Sequence, residues 1–534
     1  MKTKNQLDPQ QSAAVLTLRP SVVVIAGPGS GKTEVLRQRV EQVAHVGPVA
    51  VVTLTNSAAD EIRERMDPAC KPWHLGTIHS LALKIVTAVY AATGDVTVLS
   101  ADEGEDLEQE AIKRIGHKVS GKAFAAGKKM LLETGSFEVL SRDLGLALKS
   151  WAQIQVANLA FTFDGLLYWA NQGLAIYRPV ISHLIVDEAQ DCCAADFAMF
   201  ENLRPVNTFM VGDPDQNIFA WRGSSVDQFI NATTKTETTQ CLELETNYRC
   251  PVRVCAVANN LISYNRQRVK KLTEAVVGAP EGRVALAEYD TFGSEMLVLR
   301  ERIDECQAHG ETYAVLCRTN LVRGMVREAL GLPEDESELL PPDWATARIL
   351  LTFLAAPMNS WNAAKAAVVV GEDKELKRMT RFERAECIRR TYGDMTRKIT
   401  WATALNWLGD AGMSPASIVR IRNAATGDGP TPDWLVELDE SQPRSKSPVM
   451  TIHAAKGREF DVVFLPCFDS DEIPGRTEIE EARRLAFVAL TRARLRVLIS
   501  YSLKRKSWGG KTVNVQQSPF IAEMGSETLL INMI

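Results

Sequence analysis

Residues 22–33 read Val22-Val23-Val24-Ile25-Ala26-Gly27-Pro28-Gly29-Ser30-Gly31-Lys32-Thr33. Four β-branched residues in a row predict a buried strand. The glycines that follow predict a tight loop opening a helix. Strand, loop and helix in this order cradle phosphate. Loop N–H groups and the helix N-terminus face the anion, Lys32 reaches the β/γ oxygens, and the Thr33 hydroxyl suits Mg²⁺. The usual pattern has glycine in its first position, where this chain has Ala26. Residues 26–33 therefore predict nucleotide binding, against the plainer alternative of a glycine turn that binds nothing. Such a loop names no reaction, because kinases, GTPases, synthetases and motors all carry one.

The chain has 534 residues, too many for one core, which predicts three or four domains. Its 46% hydrophobic and 24% charged residues are ordinary for a soluble globular protein. A net charge of −5 gives no sign of a polyanion partner, although a channel gripping a few phosphates need not make a protein basic. No run approaches the roughly 20 apolar residues of a membrane span, and residues 1–6 lack an apolar signal region. The ten cysteines are scattered without C-x-x-C pairs. They are expected to be reduced thiols in a cytoplasmic protein, with no zinc or iron–sulfur site.

Short β-branched runs recur at 22–25, 49–54, 184–186, 208–211, 314–317 and 462–465. Turn chemistry and a helical stretch follow each. Near-continuous apolar strands alternating with helices predict an α/β fold with parallel sheets. Functional residues should then lie just beyond the C-terminal strand ends. Residues 88–160 and 331–445 break the rhythm and look like helical insertions.

Ile185-Val186-Asp187-Glu188 is a strand ending in adjacent carboxylates. A Mg²⁺–nucleotide site needs one hard oxygen ligand and one carboxylate that orients or deprotonates the attacking water. Asp187 suits the first task and Glu188 the second. Alternatively, the pair merely complements a helix dipole. After the next strand, Gln216 can sense a γ-phosphate or its water. Phe219-Ala220-Trp221-Arg222 then offers aromatics for stacking bases and an arginine for a phosphate, or simply core packing.

DEAQD at 187–191 with VGDPDQNIFAWRG at 211–223 resembles the UvrD/Rep/PcrA family of superfamily-one DNA helicases. Further segments follow that family's motif order. Leu7-Asp8-Pro9-Gln10-Gln11 resembles the motif whose glutamine, here Gln11, reads the adenine edge. Residues 53–59, with Thr55 and Asn56, and 76–80, with His79, resemble its first two single-strand DNA motifs. Residues 244–249 resemble the motif in which Tyr248 stacks on adenine and Arg249 reaches the γ-phosphate. Residues 450–460, with Thr451, His453 and Glu459, resemble the segment joining DNA to the ribose. Residues 486–493 resemble the last motif, which carries the second γ-phosphate arginine, Arg492. Leu485 and Val488 are expected to share a helix face with Arg492.

The resemblance implies two RecA-like motor domains, residues 1–87 plus 161–240 and residues 241–330 plus 446–534, with the helical insertions 88–160 and 331–445. It implies an ATP-dependent 3′–5′ DNA helicase active in DNA repair on single-stranded and tailed duplex DNA, using ATP and Mg²⁺ held by Thr33 and Asp187. It implies no membrane partner. An alternative keeps the ATPase as a single-strand translocase or the motor subunit of a larger complex, such as a phage-defence system. Two positions depart from the family. Glu34 stands where relatives often place an arginine against adenine, and Arg37 is the candidate substitute. Leu54 stands where relatives often present a stacking phenylalanine. Near the end, residues 501–510 read as a hairpin with Trp508 near its tip, resembling the family's strand-separating pin.

Overall fold

The computed structural model describes residues 7–332 and 448–530, apart from 100, 117, 221–222, 225, 235–238, 507–511 and 526–528. The expected DNA contacts Trp221 and Arg222, the pin candidate Trp508 and nearly all of the second insertion lie outside the described residues. No helix among the described residues is long and apolar enough to cross a membrane.

Two sheets carry the motifs. The first has β1 (Ser21–Ala26), β2 (Val49–Thr53), β3 (His74–Thr77), β4 (His183–Val186), β5 (Asn207–Gly212) and β6 (Thr239–Leu244), in the order β3-β2-β4-β5-β1-β6. All its pairings are parallel. Val24 pairs with Val211, and Ile25 with Gly212. The phosphate loop after β1, Asp187 and Glu188 after β4 and Gln216 after β5 thus leave three neighbouring strands at the same edge. That placement follows from topology, because parallel strands put all their C-terminal ends on one side.

The second sheet has β7 (Arg283–Thr291), β8 (Tyr313–Cys317), β9 (Val449–Thr451), β10 (Phe460–Leu465), β11 (Ala493–Lys506), β12 (Thr512–Asn514) and β13 (Leu529–Leu530). Its parallel order is β9-β8-β10-β11-β7-β13, and β12 runs antiparallel beside β11. In β8, Ala314 and Leu316 join one apolar core while Val315 and Cys317 join another. Both faces of the strand are covered, which is why it reads as an unbroken apolar run rather than an alternation. β11 and β12 pair from Lys504 with Asn514 to Lys506 with Thr512, while the turn expected within residues 501–510 lies largely outside the described residues.

Residues 90–168 belong to a separate compact unit. Helices Ala101–Arg114, Gly121–Thr134 and Arg142–Asn158 dominate it, around the fully buried Phe124, Leu131, Leu148 and Trp151. A two-strand pair, Thr97–Val98 with Ala160–Phe161, closes it.

Candidate active site

The phosphate loop is held from both sides. Gly29 and Gly31 adopt φ of 65° and 78°, a region that side chains other than glycine occupy only at a cost. Gln11 caps the helix Pro9–Leu16 together with Asp8. The Asp8 N–H donates to Gln11 Oε1 at 3.0 Å, and the Gln11 N–H to Asp8 Oδ1 at 2.8 Å. Gln11 Nε2 donates to the Ser30 carbonyl at 2.9 Å. The amide expected to read adenine is therefore engaged at its oxygen by the helix cap and at its nitrogen by the loop. The Tyr248 N–H donates to the Gly29 carbonyl at 2.8 Å, tying the loop to the second motor segment.

A Cβ on Gly29 would come within 2.6 Å of Asn247 Oδ1 and 2.7 Å of Arg249 Cβ. Gly29→Ala combines that clash with a left-handed backbone costing about 1–3 kcal/mol. Titration with a fluorescent ATP analogue should show nucleotide affinity weakened at least about tenfold.

Lys32 and Thr33 open the helix Lys32–Val43. Lys32 Nζ lies 3.4 Å from the Glu188 carboxylate, and both side chains are largely buried. Glu188 has φ 51°, in the left-handed region, although it is not glycine. Strain of this kind is tolerated where the surroundings fix the residue. Here the Glu188 N–H donates to Asp187 Oδ1 at 2.9 Å, and Gln190 Nε2 donates to Glu188 Oε2 at 2.6 Å.

The two carboxylates are pushed in opposite directions. Burial, then the charge of Glu188, raises the proton affinity of Asp187. Burial opposes ionisation of Glu188 too, but Lys32 and Lys456 outweigh it and keep Glu188 charged. A folded state that holds a proton the unfolded chain has lost gives up stability as pH rises above the ordinary carboxylate range. Asp187→Asn removes that loss. Without nucleotide or metal it should melt above the wild type at pH 8, with the gap closing toward pH 5, as differential scanning calorimetry can follow.

Arg249 and Arg492 approach from the second half. Arg492 was expected on a helix face with Leu485 and Val488. Instead the helix ends at Leu490, and Arg492 lies in the turn before β11. Its side chain folds back, and Nε donates to the Val488 carbonyl at 3.0 Å. The guanidinium is almost completely buried. Arg492 Nη2 donates to Gln216 Oε1 at 3.1 Å, and Gln216 Nε2 donates to Asp213 Oδ2 at 2.7 Å. Burial and the nearby Arg249 weaken the hold of Arg492 on its proton, so an anion would be welcome there. Arg249 Nε donates to Glu459 Oε2 at 2.7 Å. Glu459, expected near the ribose, is thus paired with Arg249 and, at 3.4 Å, with Arg494.

The adenine side differs from the expectation. Arg37 does not stand free to replace the missing arginine. It is clamped between Glu34 and Glu41, each 2.6 Å away. Tyr248 remains 41% exposed, with its hydroxyl donating to Asp8 Oδ2 at 2.6 Å.

Of the expected single-strand contacts, Thr55 caps the helix Asn56–Arg65, accepting from the Ala58 N–H. His79 sits in the first turn of the helix Ile78–Tyr90. Phe219 and His453 meet with ring centroids 5.9 Å apart. Phe219 also packs against the apolar core of the second sheet that holds Ala314 and Leu316, the plainer of the two roles weighed for it. Thr451 and His453 line a groove of about 670 Å³ with Arg318, Thr319, Asn320 and Arg476. The sequence reading did not single out Arg318 and Asn320, which follow β8 as His453 follows β9.

It also missed Lys456. That ammonium pairs with the Asp191 carboxylate and donates to the Gln216 carbonyl at 2.8 Å. It sits inside a motif already singled out, so its charge was the available signal.

The UvrD/REP helicase N-terminal domain family matches residues 7–237, and the UvrD-like helicase C-terminal domain family matches residues 435–504. The chain belongs to the UvrD-like helicase family. It is 26% identical to the ATP-dependent DNA helicase UvrD1 of Mycobacterium tuberculosis, over 98% of this chain and 85% of that protein. It is 24% identical to the ATP-dependent DNA helicase PcrA of Leuconostoc citreum over the same shares. It is 26% identical to DNA helicase II of Haemophilus influenzae, over 95% of this chain and 85% of the relative. UvrD-like helicases hydrolyse ATP, and the residues described above occupy the edge of the first sheet together with the second-half elements that meet it.

Proposed function

We propose that the protein is an ATP-dependent DNA helicase moving 3′ to 5′ on single-stranded DNA, through the cleft between its two RecA-like sheets. The observation that carries this reading is the Gln216 side chain. One end is held by Asp213 after β5 and the other by Arg492 before β11, beside the Lys32–Glu188 pair. A group that senses the γ-phosphate is thus bonded to both halves.

The residues fit Mg²⁺ and ATP. Asp187 is a buried carboxylate whose proton affinity is raised by burial and by the charge of Glu188, and the loop has no room for a Cβ at Gly29. Thr33 and Asp187 would hold the metal, which supplies charge neutralisation to the phosphates. Lys32 moves from Glu188 to phosphate. Glu188, held charged, takes a proton from the attacking water. Arg249 and Arg492 stabilise the transferred phosphoryl group when the halves close. Gln216 reports that closure to both halves. A γ-phosphate that biases a hinge in this way moves a bound strand, with Thr55, Asn56, His79, Phe219, Thr451 and His453 along the track. The polarity rests on the family resemblance.

Strand displacement on 3′-tailed and 5′-tailed duplexes tests the reading. Unwinding of the 3′-tailed duplex alone is expected. Unwinding of the 5′-tailed duplex alone would reverse the polarity, and unwinding of neither, with ATPase intact, would favour a translocase.

A further inference from the structure

Lys271 is a buried cation outside every motif singled out in the sequence, and its ammonium ends among the carboxylates that follow β5. Its ammonium meets the Asp213 carboxylate and lies 2.6 Å from Asp215 Oδ2, with its side chain 3% exposed. Arg268 grips Asp215 at 3.1 and 2.7 Å. Both cations sit on a segment tied to the second half. Asn265 Nδ2 donates to the Glu480 carbonyl at 2.9 Å, the Gln267 N–H donates to Glu480 Oε2 at 3.1 Å, and Arg484 Nη2 donates to the Gln267 carbonyl at 2.9 Å. Glu480 and Arg484 belong to the helix Ile479–Leu490, which leads directly into Arg492.

We infer that Lys271 is a positioning residue for ATP hydrolysis, fixing the Asp213 carboxylate so that the acceptor end of the Gln216 amide faces Arg492. An amide has a donor end and an acceptor end of nearly equal shape. Only its neighbours decide which way it points. Asp213 Oδ2 takes the donor end at 2.7 Å, which leaves Oε1 for Arg492 at 3.1 Å. A flipped amide would set N–H groups against a guanidinium that has no acceptor. As an ionised carboxylate Asp213 can only accept, so while it stays charged and fixed it selects the donor end of the amide. It is completely buried, and a buried carboxylate stays charged only with a compensating cation. Lys271 is that cation. Asp213 Oδ1 also accepts the Asp215 N–H at 3.0 Å, so both carboxylate oxygens are committed. Because the Lys271 segment is fastened to the helix that precedes Arg492, donor and acceptor of the Gln216–Arg492 bond are set from one structural element.

This inference rests on the assignment of Gln216 to the hydrolytic site, and the experiment separates the two. DNA-stimulated ATPase is measured on the full chain for Lys271→Met, Lys271→Arg, Gln216→Ala and the double variant K271M/Q216A. Lys271→Met is expected to lower kcat by about 10²-fold, the scale of losing one preorganised transition-state contact, with the KM for ATP within about threefold. Lys271→Arg should recover part of the loss. The double variant should be no slower than Gln216→Ala, because both changes act through one amide. Independent, multiplying losses, or a wild-type kcat in Lys271→Met beside a slow Gln216→Ala, would overturn the inference alone. A wild-type kcat in Gln216→Ala would overturn the assignment of Gln216 and the inference with it. If Lys271→Met does not fold, K271M/D213N removes both charges together. It should also be slow, and a wild-type kcat there would overturn the inference.

Discussion

Glu188→Gln should lower DNA-stimulated kcat by about 10²–10⁴-fold, the contribution of a positioned general base. Nucleotide affinity should not fall with it. Lys32 lies 3.4 Å from the Glu188 carboxylate, so a bound phosphate competes with that carboxylate for the same ammonium. Glutamine keeps the shape and removes the competing charge. Direct titration of ATP should therefore give a Kd equal to or lower than that of the wild type. The backbone of residue 188 is left-handed, and glutamine suffers the same strain there as glutamate, so folding is unaffected on that account. A fall in affinity alongside turnover would mean that Glu188 helps to build the pocket rather than to activate water.

Arg492→Ala should cost more, about 10³–10⁵-fold in kcat, the range for arginine fingers in phosphate-loop enzymes. Four of the five guanidinium donors are already committed or close to committed. Nε donates to the Val488 carbonyl at 3.0 Å, Nη2 to Gln216 at 3.1 Å and to Thr491 Oγ1 at 3.3 Å, and Nη1 to the Arg458 carbonyl at 3.4 Å. These bonds fix the plane of the group and leave one N–H on Nη1 for a phosphoryl oxygen. Arg492→Lys should recover little, because an ammonium cannot hold two carbonyls and an amide in one plane while reaching a phosphate. Arg249→Ala should be the milder change, since Arg249 is partly engaged by Glu459 at 2.7 Å and must be released to act. Stopped-flow release of inorganic phosphate gives the rates directly.

Much of the fold was legible because both faces of its parallel strands are buried. Val22 to Ile25 and Ala314 to Cys317 announce strands without any need to know their neighbours. The sheet order then brings the loops after β1, β4 and β5 together, so Lys32, Asp187, Glu188 and Gln216 converge as their chemistry suggested. Geometry that depends on distant partners was not legible. Lys456 pairs with Asp191 across 265 positions, and Lys271 reaches Asp213 across 58. Nothing local in the run Arg266 to Lys271 distinguishes these buried cations from a solvated basic face. Helical spacing placed Arg492 on the helix itself, whereas the chain leaves the helix two residues earlier and the side chain turns back to it. The proposed role of Arg37 failed for an electrostatic reason. Two glutamates, one turn away on either side, bind its guanidinium before adenine could.

The central claim is that one catalytic site is assembled from both sheets, with Arg249 and Arg492 bound to the reacting phosphoryl group and not to the resting nucleotide. The affinities of ADP and of ADP–aluminium fluoride, measured by calorimetry with Mg²⁺ and a saturating single-stranded oligonucleotide, test it most directly. The wild type should bind the transition-state analogue at least about 10²-fold more tightly than ADP. That preference should collapse in Arg492→Ala while the affinity for ADP stays unchanged. An undiminished preference in both Arg492→Ala and Arg249→Ala would contradict a shared site.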